Sequence, residues 1–76
     1  MTLAALRDHA DAEWNRFITV CHSHGFADEW AAYRAEKAGA AWHDAMNAAH
    51  RDAMRALHAF YGARDGERGV LGGRGL

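Results

Sequence analysis

Apolar and small residues recur at steps of three or four along most of this chain, which is the spacing of one helix face. In the N-terminal part this pattern predicts a first helix over Leu3–Ser23. Thr2 stands where it can cap the start, and Gly25 follows as a stop because glycine accepts left-handed backbone geometry. The residues that mark this face are Leu3, Leu6, Ala10, Trp14, Phe17 and Cys21.

A second and longer helical pattern runs from Asp28 to Tyr61, with no proline and a single glycine, Gly39. One glycine costs a helix only about 1 kcal/mol relative to alanine. We therefore predict one long second helix, capped by Asp28 and with room for a kink at Gly39. The alternative is a three-helix bundle in which the chain breaks at Gly39. The apolar face is marked by Trp30, Ala38, Trp42, Ala45, Ala49, Ala53, Leu57 and Phe60.

The fold class is therefore all-α, and the predicted architecture is an antiparallel helical hairpin. At about 1.5 Å per residue, the first helix covers roughly 30 Å of a second helix that is about 50 Å long. Residues 49–61 are then expected to complete their burial in a homodimer or on a target protein. The large side chains assigned to the core or to self-association are Trp14, Trp30, Trp42, Leu57 and Phe60.

The predicted domain comprises residues 1–61, and residues 62–76 are predicted to be a flexible tail rich in glycine and arginine. The net charge of −1 argues against direct binding of nucleic acid, which needs a concentrated basic surface. The longest apolar run, Phe17–Cys21, is far too short to span a membrane. One cysteine and no recognisable signal peptide lead us to expect a cytoplasmic protein.

Semi-polar and basic side chains form a stripe beside the alanine-rich face of the second predicted helix. Imidazole, thioether and phenol groups tolerate both water and burial, which suits a partner-binding surface. The other interpretation is that the stripe is simply the boundary of helix packing. The residues predicted to bind a protein partner are His50, Arg51, Met54, Arg55, His58 and Tyr61.

Potential metal ligands cluster at the end of the first predicted helix, where Cys21, His22 and His24 stand close together in sequence. Thiolate and imidazole are zinc ligands, but a structural zinc site needs a second ligand cluster at a matching spacing. A small zinc-binding regulatory protein is therefore the alternative hypothesis, and no cofactor is expected. We find no catalytic constellation and expect a protein that is not an enzyme.

These features together predict a small, non-catalytic helical module that binds protein and thereby inhibits or modulates a larger macromolecular complex. In size and composition the chain is similar to the small inhibitors carried by phages and mobile elements, including anti-CRISPR proteins. This likeness implies a macromolecular target, and it assigns no role to any particular residue.

Overall fold

The computed structural model describes residues 2–68, which form three helices. These are α1 (Leu3–Ser23), α2 (Glu29–Lys37) and α3 (Asp44–Arg68). The all-α prediction is confirmed, and the bounds of α1 are those that the sequence predicts. Met1 and residues 69–76, which include the greater part of the predicted tail, lie outside the described residues.

The first helix begins and ends through local hydrogen bonds that the sequence encodes. The Thr2 Oγ1 atom accepts a hydrogen bond from the Ala5 N–H at 3.0 Å, which caps the N-terminus. At the other end Gly25 has a φ of 92°. The N–H groups of Gly25 and Phe26 donate to the carbonyls of His22 and Cys21, each at 3.0 Å. This pair of bonds is a Schellman motif, which satisfies carbonyls that the helix leaves unpaired.

The predicted continuous second helix is wrong, because α2 ends at Lys37 through a second Schellman motif. Gly39 has a φ of 104°, and its N–H donates to the Glu36 carbonyl at 2.9 Å. The N–H of the next residue, Ala40, donates to the Ala35 carbonyl at 3.0 Å. Gly39 therefore ends a helix in the same way as Gly25, instead of bending one that continues.

The segment between α2 and α3 is held by a buried tryptophan. The Trp42 indole N–H donates to the Ala32 carbonyl at 3.0 Å, so this segment is fixed against the middle of α2. His43 then starts α3, because its Nδ1 atom accepts from the Ala45 N–H at 3.2 Å. The stacked rings of His24 and His43, with centroids 4.5 Å apart, place the end of α1 beside the start of α3.

The first helix packs antiparallel along α3 and covers its alanine-rich face. Ala49, Ala53 and Ala56 are all buried in the single chain. These three alanines therefore need no other molecule for their burial, while Leu57, Phe60 and Tyr61 keep exposed surface, and its coverage by a homodimer or a target protein stays a prediction. Because α2 is a separate helix, α3 is only about 37 Å long and α1 is about 31 Å long. The two helices are therefore close in length.

The core lies between these two helices and the N-terminal half of α2. Its largest fully buried side chains are Phe17, Met46 and Cys21. Ala32, Trp42, Ala49 and Ala53 complete the buried cluster, and Trp14, Val20, Phe26 and Tyr33 pack against it. Small alanines allow the α1 and α3 backbones to approach closely, while the aromatic rings fill the end near α2.

The third helix extends beyond the predicted boundary at Tyr61. It continues through Gly62 and Gly66 to Arg68, so the first seven residues of the predicted tail are helical. A side chain at Gly62 or Gly66 would meet no atom within 4 Å. Within residues 2–68, no helix is both long enough and apolar enough to cross a bilayer.

Replacing Gly39 by alanine should destabilise the protein. A non-glycine residue in left-handed geometry costs about 1–2 kcal/mol, and we expect the free energy of unfolding to fall by that amount. The matched control is Gly62→Ala inside α3, which should raise it by about 0.5–1 kcal/mol. Urea titrations followed by circular dichroism measure both. A gain in stability from Gly39→Ala would contradict the helix break and restore the continuous helix.

Adding bulk at Ala53 tests whether α1 covers α3 in the monomer. Ala53 is fully buried, and Ala53→Leu should overpack the contact and lower the free energy of unfolding by about 1–3 kcal/mol. Ala45→Leu is the control, because Ala45 is exposed on the same helix. Equal stability of the two variants in thermal and urea unfolding would show that the alanine face is open.

Candidate protein-interaction surface

Aromatic rings in mutual contact run along one flank of the helix pair. The ring centroids of Trp30 and Tyr33 are 5.8 Å apart, and those of Tyr33 and His50 are also 5.8 Å apart. His50 in turn lies 6.5 Å from Trp14 on α1. We call Trp30, Tyr33, His50 and Trp14 the aromatic strip. It joins the first turn of α2 to the middle of the α1·α3 contact.

Beyond Trp14 the strip opens into a groove of about 600 Å³ between α1 and α3, called the α1/α3 groove below. Its walls are built from residues at helical spacing on each helix, which is why they share one face. Its volume lies in the range of about 300–1,000 Å³ that is usual for ligand sites. The lining residues are Asp11, Trp14 and Asn15 from α1, and Met54, Leu57 and Tyr61 from α3.

Charge at the α1/α3 groove is unevenly placed. Asp11 is the acidic residue of the lining and is exposed on α1. Arg64 lies on the α3 side, where its guanidinium carbon is 4.8 Å from the Tyr61 ring centroid. The same guanidinium pairs with Asp65, with Nε 3.3 Å from Oδ1. The groove is therefore an apolar slot with a carboxylate at the α1 wall and a partnered arginine beyond Tyr61.

The six residues predicted to bind a partner lie in several different environments. Met54 and Tyr61 line the α1/α3 groove. His50 is half-buried, and its ring is 5.0 Å from Phe17 and 5.5 Å from Trp42, so it belongs to the packed end of the core. Three further residues of the stripe are exposed: Arg51, Arg55 and His58.

Arg55 lies on the opposite flank, in a second groove of about 400 Å³. Here Arg16 pairs with Asp52 at 2.8 Å and with Glu13 at 3.7 Å, which links α1 to α3. Ion pairs this exposed contribute about 0–1 kcal/mol, so they add little to the stability of the fold. The full lining is His9, Glu13, Arg16, Asp52, Arg55, Ala56 and Ala59.

The five large side chains assigned to the core or to self-association differ in how deeply they are buried. Trp42 is buried, and Trp14 packs against the core while it also lines the groove. Leu57 and Phe60 are half-buried. Trp30 is 60% exposed, which is unusual for so large an apolar side chain.

Two groove residues, Asp11 and Asn15, are not among the six residues that the sequence predicts to bind a partner. They flank Trp14 on the polar side of α1 and carry no motif of their own. Trp14 and Asn15 stand three and four residues after Asp11, a helical spacing that is visible in the sequence, but the α3 residues that face them are not. Only the register of α1 against α3 brings Asp11 and Asn15 opposite Leu57 and Tyr61.

The candidate zinc ligands point in different directions. Cys21 is fully buried in the core, while His22 is exposed and His24 stacks on His43. Burial raises the pKa of the Cys21 thiol, and the nearby carboxylates of Glu29 and Asp28 raise it further. In residues 2–68, no group of three or more His, Cys, Asp or Glu side chains is placed to hold a metal ion.

The raised pKa of Cys21 makes stability depend on alkaline pH. Above the ordinary thiol pKa of 9.0, the unfolded chain releases this proton while the folded chain retains it. The free energy of unfolding should therefore fall as pH rises above about 9. Burial also raises the pKa of Tyr33 from 10.0, which continues the decline.

Cys21→Ala removes the thiol and with it the thiol's contribution to the pH dependence of stability. We expect a shallower decline of the free energy of unfolding between about pH 8.5 and 10, measured by urea titration at each pH. The slopes are compared instead of absolute stabilities, because the smaller side chain leaves a cavity. Parallel slopes for wild type and variant would contradict the assignment.

Comparison with known proteins returns no relative from which a function could be carried over. No protein-family model, no curated protein and no solved structure matches this chain. What the chain binds is therefore inferred from the surface of residues 2–68 alone.

Proposed function

We propose that this protein is a small, non-catalytic helical module that binds a protein partner through the α1/α3 groove and so inhibits or modulates a larger complex. The observation that carries the proposal is the groove itself, an apolar slot of about 600 Å³ whose walls include Trp14, Met54 and Tyr61. Protein interfaces are enriched in aromatic residues and methionine, and their strongest contacts are buried aromatic anchors.

The groove indicates the chemistry of the partner. Two antiparallel helices with a slot between them suit an anchor side chain, aromatic or aliphatic, that is presented by a helix or a turn. Asp11 at the α1 wall favours a basic residue next to that anchor. Methionine at position 54 adapts its shape to different anchors because its side chain is unbranched and flexible.

The positions of the reactive groups support a binding role without catalysis. Cys21, the one thiol of the chain, is buried with its pKa raised, so the thiolate that a nucleophile needs is disfavoured.

Met54→Glu tests the groove directly. A carboxylate in the apolar wall would lose its hydration when the partner's apolar anchor covers it, so we expect at least a tenfold weaker complex. The matched control is Ala45→Glu, which adds the same charge to an exposed position on α3. Both variants should keep the wild-type circular dichroism spectrum.

The partner is found by affinity purification with tagged wild-type protein from the natural host, followed by mass spectrometry. A protein that wild type and Ala45→Glu retain and Met54→Glu loses supports the proposal. Calorimetry with that purified partner then gives the ratio of dissociation constants. A partner retained equally by Met54→Glu would place the binding surface elsewhere, on the exposed side of α3 that carries Arg51 and His58.

A further inference from the structure

We infer that a second copy of this chain fits the α1/α3 groove, with Trp30 of each copy inserted into the groove of the other. The inference rests on the proposed function, since it takes the groove to be a binding site and names an occupant. The proposed partner has an aromatic or aliphatic anchor beside a basic residue. The chain itself presents such a pair, because exposed Trp30 lies beside exposed Arg34.

Trp30 is presented as a rigid anchor. It lies in the first turn of α2, where the Asp28 carboxylate accepts from the Ala31 N–H at 2.8 Å and fixes the start of the helix. The indole is tilted by 59° against the Tyr33 ring, with the ring centroids 5.8 Å apart, and Trp30 is 60% exposed. An anchor that is already ordered loses little entropy on binding.

The α1/α3 groove has room for an indole and matches its polarity. Its apolar walls are formed by Trp14, Met54, Leu57 and Tyr61, which suit the indole rings. The side-chain oxygens of Asp11 and Asn15 at the α1 wall can accept from the indole N–H. A buried tryptophan generally needs such an acceptor for its single donor.

Charge complementarity points to the same pairing. Arg34 lies one helical turn after Trp30 and is exposed, and Asp11 is exposed at the groove. Among residues 2–66 neither of these two side chains forms an ion pair. Insertion of Trp30 brings Arg34 of one copy to the α1 wall of the other, where Asp11 supplies the opposite charge.

The aromatic strip places the anchor and the groove where a two-fold axis can pair them. Trp30 stands at one end of the strip, and the groove opens at the other end beyond Trp14. A two-fold axis through the middle of the strip, near His50, exchanges the two ends. Each dimer then contains the anchor-in-groove contact twice, as isologous interfaces require.

In such a dimer, Trp30 of the second copy competes with a protein partner for the α1/α3 groove. The same groove cannot hold Trp30 of a second copy and the anchor of another protein at once. Free protein is then a self-occupied dimer, and a partner binds by displacing one copy. Binding of the partner and dimerisation are linked through the concentration of the chain.

Light scattering coupled to size-exclusion chromatography, over a dilution series, tests the dimer. The wild type should have twice the 8.4 kDa monomer mass at high concentration and dissociate on dilution. Trp30→Ala removes the anchor and Met54→Glu blocks the groove, and each should weaken the dimer at least tenfold. Ala45→Glu serves as the control and should dimerise like wild type. Circular dichroism confirms that each variant is folded.

Mixing the two defective variants gives the decisive result. Trp30→Ala keeps an open groove and Met54→Glu keeps its anchor, so one of the two contacts can form between them. The mixture should contain a heterodimer at concentrations where each variant alone is monomeric. In the same way, Asp11→Arg and Arg34→Asp should each weaken the dimer, and their combination in one chain should restore it.

Three outcomes would overturn the inference. They are a wild type that is monomeric up to about 1 mM, a dimer that Trp30→Ala leaves intact, and a mixture that contains no heterodimer. A monomeric wild type that still loses its partner through Met54→Glu would reject self-association and keep the proposed function. A dimer that forms as inferred, with no Met54-dependent partner, would reject the proposed function and keep self-association.

Discussion

The left-handed backbone at Gly39 is the constraint on which the rest of the structure depends. Its Schellman motif ends α2 at Lys37 and separates nine residues of helix from the 25 that form α3. Without that break, α1 would cover only half of a much longer helix. With the break, α1 and α3 are close in length and the chain buries its own alanine face. The motif repeats the one at Gly25, so a glycine ends each of the first two helices.

The α1/α3 groove results from the different sizes of the side chains along the contact between α1 and α3. Alanines at positions 49, 53 and 56 let the helices approach closely along the centre of the contact. On one flank the larger residues Trp14, Met54, Leu57 and Tyr61 keep the edges apart and leave the α1/α3 groove. On the other flank the Arg16–Asp52 pair bridges the helices. A protein partner and a second copy of the chain are both proposed for the apolar flank.

Several residues with reactive or metal-binding side chains are used for packing in this fold. His50 lies among the rings of Trp14, Phe17, Tyr33 and Trp42, where its imidazole acts as one more aromatic surface. Cys21 fills the core near the end of α1, where burial raises the pKa of its thiol and the carboxylates of Glu29 and Asp28 raise it further. Met54, Tyr61 and Trp30 are less reactive, yet they lie where another molecule can reach them.

The sequence by itself determined the helical class, the bounds of α1 and the caps at Thr2 and Asp28, because each depends on residues close together in the chain. It also placed Met54 and Tyr61 on one helix stripe, which is a matter of spacing. Only the tertiary structure decided that Gly39 ends a helix, since a glycine in an alanine-rich segment is compatible with both outcomes until Trp42 is fixed against α2. The groove and the exposure of Trp30 depend on helix register, which no local pattern encodes.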